Sequence, residues 1–239
     1  MGALGLSLAL VVAAAGYGKR LDSGLPKQYV PIFGIPMLQR TLTALSSLSE
    51  VDALAVVVNE EDIEYCRSEI AVERIGKVAA VAAGGEERPI SVRNGLLALA
   101  GVGTWDLVGV HDGARPLVTG AEISRAIEAL AADPSLDGAV AAIRSVDTIK
   151  LVDDGGVIQS TPDRRCLWRA QTPQIFRWNV LMEAYAQPEQ LLLDATDDSA
   201  LVEARGGRVV VVEGSPENFK VTDRVDLRHA EQILAERRR

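Results

Sequence analysis

The sequence predicts an α/β protein: a mostly parallel, twisted sheet flanked by helices, with a projecting β-hairpin arm. Three observations carry that expectation. Short apolar, β-rich runs alternate with segments of helical period from the N-terminus to about residue 143. Hydrophobic residues are 48% of the 239 but aromatics only 4%, so the core must be Ala, Val, Leu and Ile, which suits central strands covered by helices. The alternation then breaks at 148–160, where residues alternate around Asp153-Asp154-Gly155-Gly156, a hairpin turn signal. A single domain, 1–239, is expected at this length, with the arm at about 144–170.

The first run, 8–12, reads as a buried strand ending in Ala13-Ala14-Ala15 and the glycines Gly16 and Gly18. Phe33-Gly34-Ile35-Pro36 is a turn. Residues 37–48 place Leu38, Leu42, Leu45 and Leu48 on one helical face. A strand is expected at 53–58, a polar surface helix at 60–75, and a third strand at 77–83 that ends in Gly84-Gly85-Glu86-Glu87-Arg88. A helix at 91–100 precedes a fourth strand, 107–111, ending in His111-Asp112-Gly113-Ala114-Arg115-Pro116. Ile123, Ala126, Ile127 and Leu130 mark the next helix by their spacing. Strands at 138–143 and 208–212 and a closing helix at 223–236 complete the pattern, and the 237–239 arginines read as solvated surface. Ligands of parallel sheets sit at the carboxyl ends of the strands, so the loops at 13–20, 84–91 and 111–116 should gather at one edge.

Charge narrows the partners. A formal net charge of -8 argues against nucleic acid, whose phosphate backbone wants a basic face. Local positive charge in an acidic chain points to a small anionic ligand. No apolar run approaches membrane-spanning length, and no basic segment precedes 4–15 to make it a signal peptide. Cys66 and Cys166 lie far apart without a CxxC, so a reduced, cytoplasmic protein is expected.

Small residues at 13–18 let backbone N–H groups approach a bulky anion, and Lys19, Arg20 and Lys27 follow within nine positions. A strand, a glycine-rich bend and clustered cations make a triphosphate cradle. It is not a Walker loop, because Arg20 stands where the hydroxyl should follow Lys19, and not a dinucleotide loop, because Leu21 replaces the third glycine. Asp112, at a strand's end, suits either a magnesium ion bridging triphosphate oxygens or a cap of the following turn. Arg115 can orient that loop. Arg164, Arg165 and Arg169 cluster after the arm, and Lys220 lies between apolar Phe219 and Val221, which would partly bury its stem. Neither His111 nor His229 has a Ser-His-Asp setting. An attacking phosphate needs no base, since its second pKa of about 6 leaves it mostly dianionic at neutral pH. Catalysis then reduces to holding two anions in line while charge is neutralised.

Ala-Ala-Ala-Gly-Tyr-Gly-Lys-Arg at 13–20, Pro-Lys-Gln-Tyr at 26–29, Gly-Gly-Glu-Glu-Arg at 84–88 and Val-His-Asp-Gly-Ala-Arg-Pro at 110–116 resemble the 2-C-methyl-D-erythritol 4-phosphate cytidylyltransferase family. So do Leu-Trp-Arg-Ala-Gln-Thr-Pro-Gln at 167–174, Thr196-Asp197 and Asn-Phe-Lys-Val-Thr at 218–222. The resemblance implies a Rossmann-like nucleotidyltransferase fold and transfer of CMP from CTP to methylerythritol phosphate, with release of pyrophosphate. It assigns Arg20, Lys27 and Lys220 to the transition state, and CTP to Ala14, Ala15, Gly16, Gly18, Gly85, Glu86 and Ser91. It assigns Mg2+ or another divalent cation to Asp112, loop support to Arg115, and methylerythritol phosphate to Thr148, Arg164 and Thr196. It further implies a homodimer in which the arm reaches a neighbour's site. A sibling acting on ribitol 5-phosphate would share this chemistry, though such relatives usually lack the Ala before Arg115. A non-catalytic nucleotide-binding regulator would be expected to have lost Arg20, Lys27 or Lys220.

Overall fold

The structure, a computed structural model, describes residues 5–16, 25–70 and 72–237. Strand β1 (Leu8–Ala13) precedes the glycine loop, and a 3-10 turn at Lys27–Tyr29 leads to a small ribbon, β2 (Pro31–Ile32) and β3 (Ile35–Pro36). Phe33 and Gly34 close that ribbon with φ of 46° and 72°. Two successive positive values match the twist of a two-residue hairpin, and Phe33 accepts a conformation rare outside glycine. Helix α1 (Met37–Ser47), β4 (Ala53–Val58), α2 (Ile63–Ser68), β5 (Val78–Ala83) and α3 (Arg88–Ala100) follow. Next come β6 (Leu107–Asp112), α4 (Gly120–Ala132), β7 (Gly138–Arg144) and the arm strands β8 (Leu151–Val152) and β9 (Ile158–Ser160). The chain continues through β10 (Trp168–Arg177), α5 (Trp178–Tyr185), α6 (Glu189–Leu193), α7 (Asp198–Glu203), β11 (Val209–Glu213) and α8 (Arg224–Glu236).

Seven strands form one sheet in the order β11-β7-β10-β6-β1-β4-β5, all parallel to their neighbours except β10, which runs antiparallel to both β7 and β6. Side chains of β1 alternate between two cores. Leu8, Leu10 and Val12 meet Leu38, Leu42 and Leu45 of α1 and Ile123 and Ile127 of α4. Ala9 and Val11 meet Val92, Leu96 and Leu99 of α3, with Phe176 and Leu181 beyond. The second face is lined by small residues because α3 lies close: a Cβ on Gly95 would stand 2.5 Å from Val11 Cγ1. Helix α8 is capped by Asp223, whose carboxylate accepts from the Val225 and Asp226 N–H groups, and it buries Ala230 and Ile233 against Ile32, Met37 and Val221.

Four expectations change. The segment 60–75 is not one helix but two 3-10 turns around the six residues of α2. Ile70 and Val72 are both buried, and two residues cannot share one face of a straight helix at that spacing. Helix α3 starts three residues earlier than 91, because Pro89 sits in the first turn, where no N–H is needed. The central antiparallel β10 is absent from the sequence expectation, as are α5, α6 and α7. Pro173 and the polar run Gln171, Thr172 and Gln174 argue against a central strand, and the register does shift between Ala170 and Gln174. Finally, Arg237 is exposed but also tied to the protein: its guanidinium donates to the Leu117 carbonyl at 3.1 Å and pairs with Glu217 at 2.8 Å. Residues 238–239 lie outside the described residues.

The hairpin does form, with the Asp153 carboxylate accepting the Gly155 and Val157 N–H groups at its turn. It carries exposed Leu151, Val152, Val157 and Ile158.

Candidate active site

The loops after β1, β5 and β6 converge as the parallel order requires, around a cavity of about 270 Å³. Small side chains permit the approach. A Cβ on Gly84 would stand 2.4 Å from the Ala15 Cβ, and one on Gly113 3.0 Å from the Ala14 Cβ. Ala14 and Ala15 of the first loop therefore pack directly against the other two loops.

Ala14, Ala15, Gly16, Lys27, Gly85, Glu86, Ser91, Asp112 and Lys220 all line this cavity, although Lys27 and Lys220 come from opposite ends of the chain. Gly18 and Arg20, with Lys19, lie outside the described residues. Thr148, Arg164 and Thr196 are exposed and line no part of it.

Lys27 opens the 3-10 turn that is fixed by Tyr29. Tyr29 is buried with its hydroxyl 3.5 Å from the Cys66 sulfur and its ring edge-on to Tyr65 at 4.7 Å. Burial pushes the Cys66 thiol up, so it remains protonated at neutral pH.

Asp112 holds the centre. Its Oδ2 lies 3.0 Å from Lys220 Nζ and 3.4 Å from Arg115 Nε, and its Oδ1 lies 3.7 Å from Arg88 Nε. Burial alone would favour the neutral acid, but Lys220, Arg88 and Arg115 outweigh it and hold the carboxyl well below the usual carboxylate range. The Asp112 side chain thus faces the cavity among three cations.

The neighbours of Asp112 are fixed by a chain of hydrogen bonds. Its N–H donates to Thr172 Oγ1 at 3.0 Å, and Thr172 Oγ1 lies 3.1 Å from His111 Nδ1. His111 Nε2 lies 3.1 Å from the Arg115 carbonyl, which only accepts, so Nε2 carries the proton and Nδ1 receives the Thr172 hydroxyl. Full burial pulls the His111 pKa down to about 4, against the opposing carbonyl contact, and the ring is neutral at pH 7. Thr41 Oγ1 adds a hydrogen bond to the Gly113 carbonyl at 2.9 Å, tying α1 to the same loop.

Lys220 is delivered by the 215–221 segment. Asn218 is fully buried, donates to the Thr172 carbonyl at 2.8 Å, and accepts at its own carbonyl from Arg115 at 2.7 Å and Gln171 at 3.1 Å. The Val221 N–H closes the strap on the Ala114 carbonyl at 2.9 Å. Arg115 thus hydrogen-bonds to two segments at once, its own loop and the 215–221 strap. The polar run that disguised β10 in the sequence is what holds this strap.

Two details depart from the sequence reading. The Ser91 hydroxyl accepts the Gly85 N–H at 3.1 Å and lies 3.3 Å from the Glu87 carbonyl, so it braces the Gly84–Arg88 turn as well as lining the cavity. Arg88, given no role from the sequence, is a wall of the site. It makes two bonds to Asp198, at 3.1 and 2.7 Å, and Asp198 lies 110 positions away. Its charge inside the Gly-Gly-Glu-Glu-Arg run was the only available signal.

The chain is similar to known proteins along nearly its whole length. The family model described as IspD, 2-C-methyl-D-erythritol 4-phosphate cytidylyltransferase, matches residues 8–236. The protein of that name from Geobacter metallireducens is 41% identical over 95% of this chain and 97% of its own. That from Pelotomaculum thermopropionicum is 42% identical over 96% and 95%. The crystal structure of 4-diphosphocytidyl-2C-methyl-D-erythritol synthase from Anaerococcus prevotii superposes with a TM-score of 0.81 at 30% identity, covering 98% of this chain and 100% of that one.

Proposed function

The chain belongs to the 2-C-methyl-D-erythritol 4-phosphate cytidylyltransferase family, and we propose that its cavity transfers CMP from CTP to 2-C-methyl-D-erythritol 4-phosphate. The products are 4-diphosphocytidyl-2-C-methyl-D-erythritol and pyrophosphate. The observation that carries this reading is the ionised Asp112 among Lys220, Arg115 and Arg88, at the meeting point of three loops that also bring Lys27.

An oxygen of the substrate phosphate attacks the α-phosphorus of CTP in line. The bond from that phosphorus to the oxygen bridging the β-phosphate breaks, and its electron pair leaves with pyrophosphate. Ser91 is the only hydroxyl among the described lining residues, no His or Cys is among them, and Ser91 is engaged by its own turn. Direct attack by the substrate phosphate needs no enzyme nucleophile, and the dianionic phosphate needs no base. Lys27 and Lys220 stabilise the charge that builds on the phosphorus under attack, with Arg20 of the glycine loop assigned the same task. The backbone of Ala14, Ala15, Gly16, Gly18 and Gly85, with Glu86, holds the nucleotide.

Among the described residues no cluster of three or more metal-ligating side chains occurs. Asp112 nevertheless fits Mg2+, which commonly takes one or two carboxylates together with substrate phosphates. When bound, the ion would neutralise triphosphate charge and orient its oxygens. The test is pyrophosphate release with CTP, magnesium and methylerythritol phosphate. Omitting any one, or adding EDTA, should abolish release. Equal turnover with ribitol 5-phosphate would transfer the assignment to the sibling reaction.

Two further readings rest on this one. Thr148, Arg164 and Thr196 are assigned to methylerythritol phosphate, and Thr148 and Arg164 lie at the two ends of the arm. The exposed apolar side chains of that arm need a surface, and a two-fold partner supplies one, so the enzyme is a homodimer with shared sites. Lys27 and Arg164 of one site then come from different subunits. Lys27→Ala and Arg164→Ala proteins, each inactive, should recover activity when unfolded and refolded together. About half the dimers are mixed and each has one intact site, so about a quarter of wild-type activity is expected. Dimers by sizing with no recovered activity would place Arg164 in its own subunit's site. A cytoplasmic location suits the two free cysteines, and no helix among the described residues is long and apolar enough to cross a membrane.

A further inference from the structure

Asp198 sits at the first turn of α7, fully buried. It accepts two guanidinium bonds from Arg88 and a third from the Tyr185 hydroxyl at 2.5 Å. Tyr185 is itself buried, so Asp198 has no water to turn to. Residues 197–199 cannot drift: Gln174 donates to the Asp197 carboxylate at 2.9 Å and accepts the Ser199 N–H at 3.0 Å, and the Asp197 side chain caps α7. The anchor is thus rigid, and the guanidinium it grips is a wall of the cavity.

The geometry has a consequence for Asp112. A bidentate pair occupies both terminal nitrogens of Arg88, leaving Nε toward Asp112 Oδ1 at 3.7 Å, beyond hydrogen-bond length. Arg88 therefore adds positive potential at the cavity without tying up that oxygen. Among the described ion pairs Asp112 is the other carboxylate within 4.0 Å of Arg88, so a guanidinium freed from Asp198 can close on it. We propose that Asp198 is a positioning residue of the nucleotide site, which holds Arg88 back from Asp112 and so keeps Asp112 Oδ1 open toward the nucleotide and its metal. This rests on the reading of the cavity as the CTP site.

The experiment is calorimetric titration of CTP into the intact protein at several magnesium concentrations, with thermal unfolding and steady-state kinetics alongside. Asp198→Asn keeps the shape and the Tyr185 contact but removes the charge. It should weaken CTP binding about tenfold, the loss of one well-made ionic contact, and raise the magnesium needed for half-saturation. KM for CTP should rise more than kcat falls, and Asp198→Glu should recover most of the affinity. In an Arg88→Met background the Asp198→Asn change should have no further effect on CTP binding, a result that a merely structural Asp198 would not give. Wild-type affinity in Asp198→Asn, or losses that add in the double variant, would overturn the proposal. Should Asp198→Asn fail to fold, Arg88→Lys, which keeps the charge but cannot make the bidentate pair, must weaken CTP binding to a similar extent; unchanged binding there overturns it as well. Failure of the wild-type protein to bind CTP would instead overturn the function assigned to the cavity.

Discussion

Lys27→Ala and Lys220→Ala are each expected to lower kcat by about a hundredfold or more, the scale of removing one preorganised charge contact from a transition state. The reason lies in where each ammonium is held. Lys220 Nζ lies 3.0 Å from Asp112 on a strap held by the Asn218 and Val221 hydrogen bonds, and Lys27 lines the same cavity from a 3-10 turn whose Tyr29 is buried. A charge that is already in place when negative charge builds costs little reorganisation, so its loss falls on the chemical step. KM for CTP should change much less than kcat. Measured kcat and KM for both variants check this. Normal kcat with weakened CTP binding would show that the lysines bind substrate and transition state alike, and the assignment would fail. Unfolding temperatures should stay close to wild type, because both side chains stand at the cavity wall rather than in a core.

Phe176→Ala tests the opposite property: a large loss of stability with the chemistry intact in the molecules that remain folded. Phe176 is fully buried in the one antiparallel strand of the sheet, paired with Gly138 on one side and Val108 on the other. Gly138 makes room for the ring, since a Cβ there would stand 2.3 Å from Phe176 Cδ1. Truncation leaves a cavity that the flanking strands cannot collapse into, at a cost of about 3–5 kcal/mol. Against a typical total of about 5–15 kcal/mol, that is a substantial fraction of the fold's stability. The midpoint in denaturant should fall with an unchanged slope, and well below the transition kcat should remain near wild type. A loss under about 1 kcal/mol would mean that the site relaxes and that β10 is not the keystone its position suggests.

These two expectations draw on different kinds of information. That the 13–16 stretch, the Gly-Gly-Glu-Glu-Arg turn, Asp112 and Lys220 would share one cavity was legible in the chain, because small residues that allow close backbone approach and nearby charged residues are local, compositional features. The strands β1, β4, β6 and β7 were legible for the same kind of reason, since a strand buried on both faces is a continuous apolar run, and the half-buried edge strand β5 is an apolar run as well. The central β10 was not, since its middle is spent on Gln171, Thr172 and Gln174, which hold the Lys220 strap and α7, and on a proline at the register shift.

By itself, then, the sequence determined the α/β class, the family and most of the residues that line the cavity. Only the tertiary structure decided who faces whom. Asp112 among three cations, the neutral His111 wedged between Thr172 and the Arg115 carbonyl, and Arg88 gripped by Asp198 are contacts between residues up to 110 positions apart. Charge and hydrogen bonding act through space over a few ångströms, and which groups come within that distance is set by strand order and helix packing, which no local spacing along the chain records.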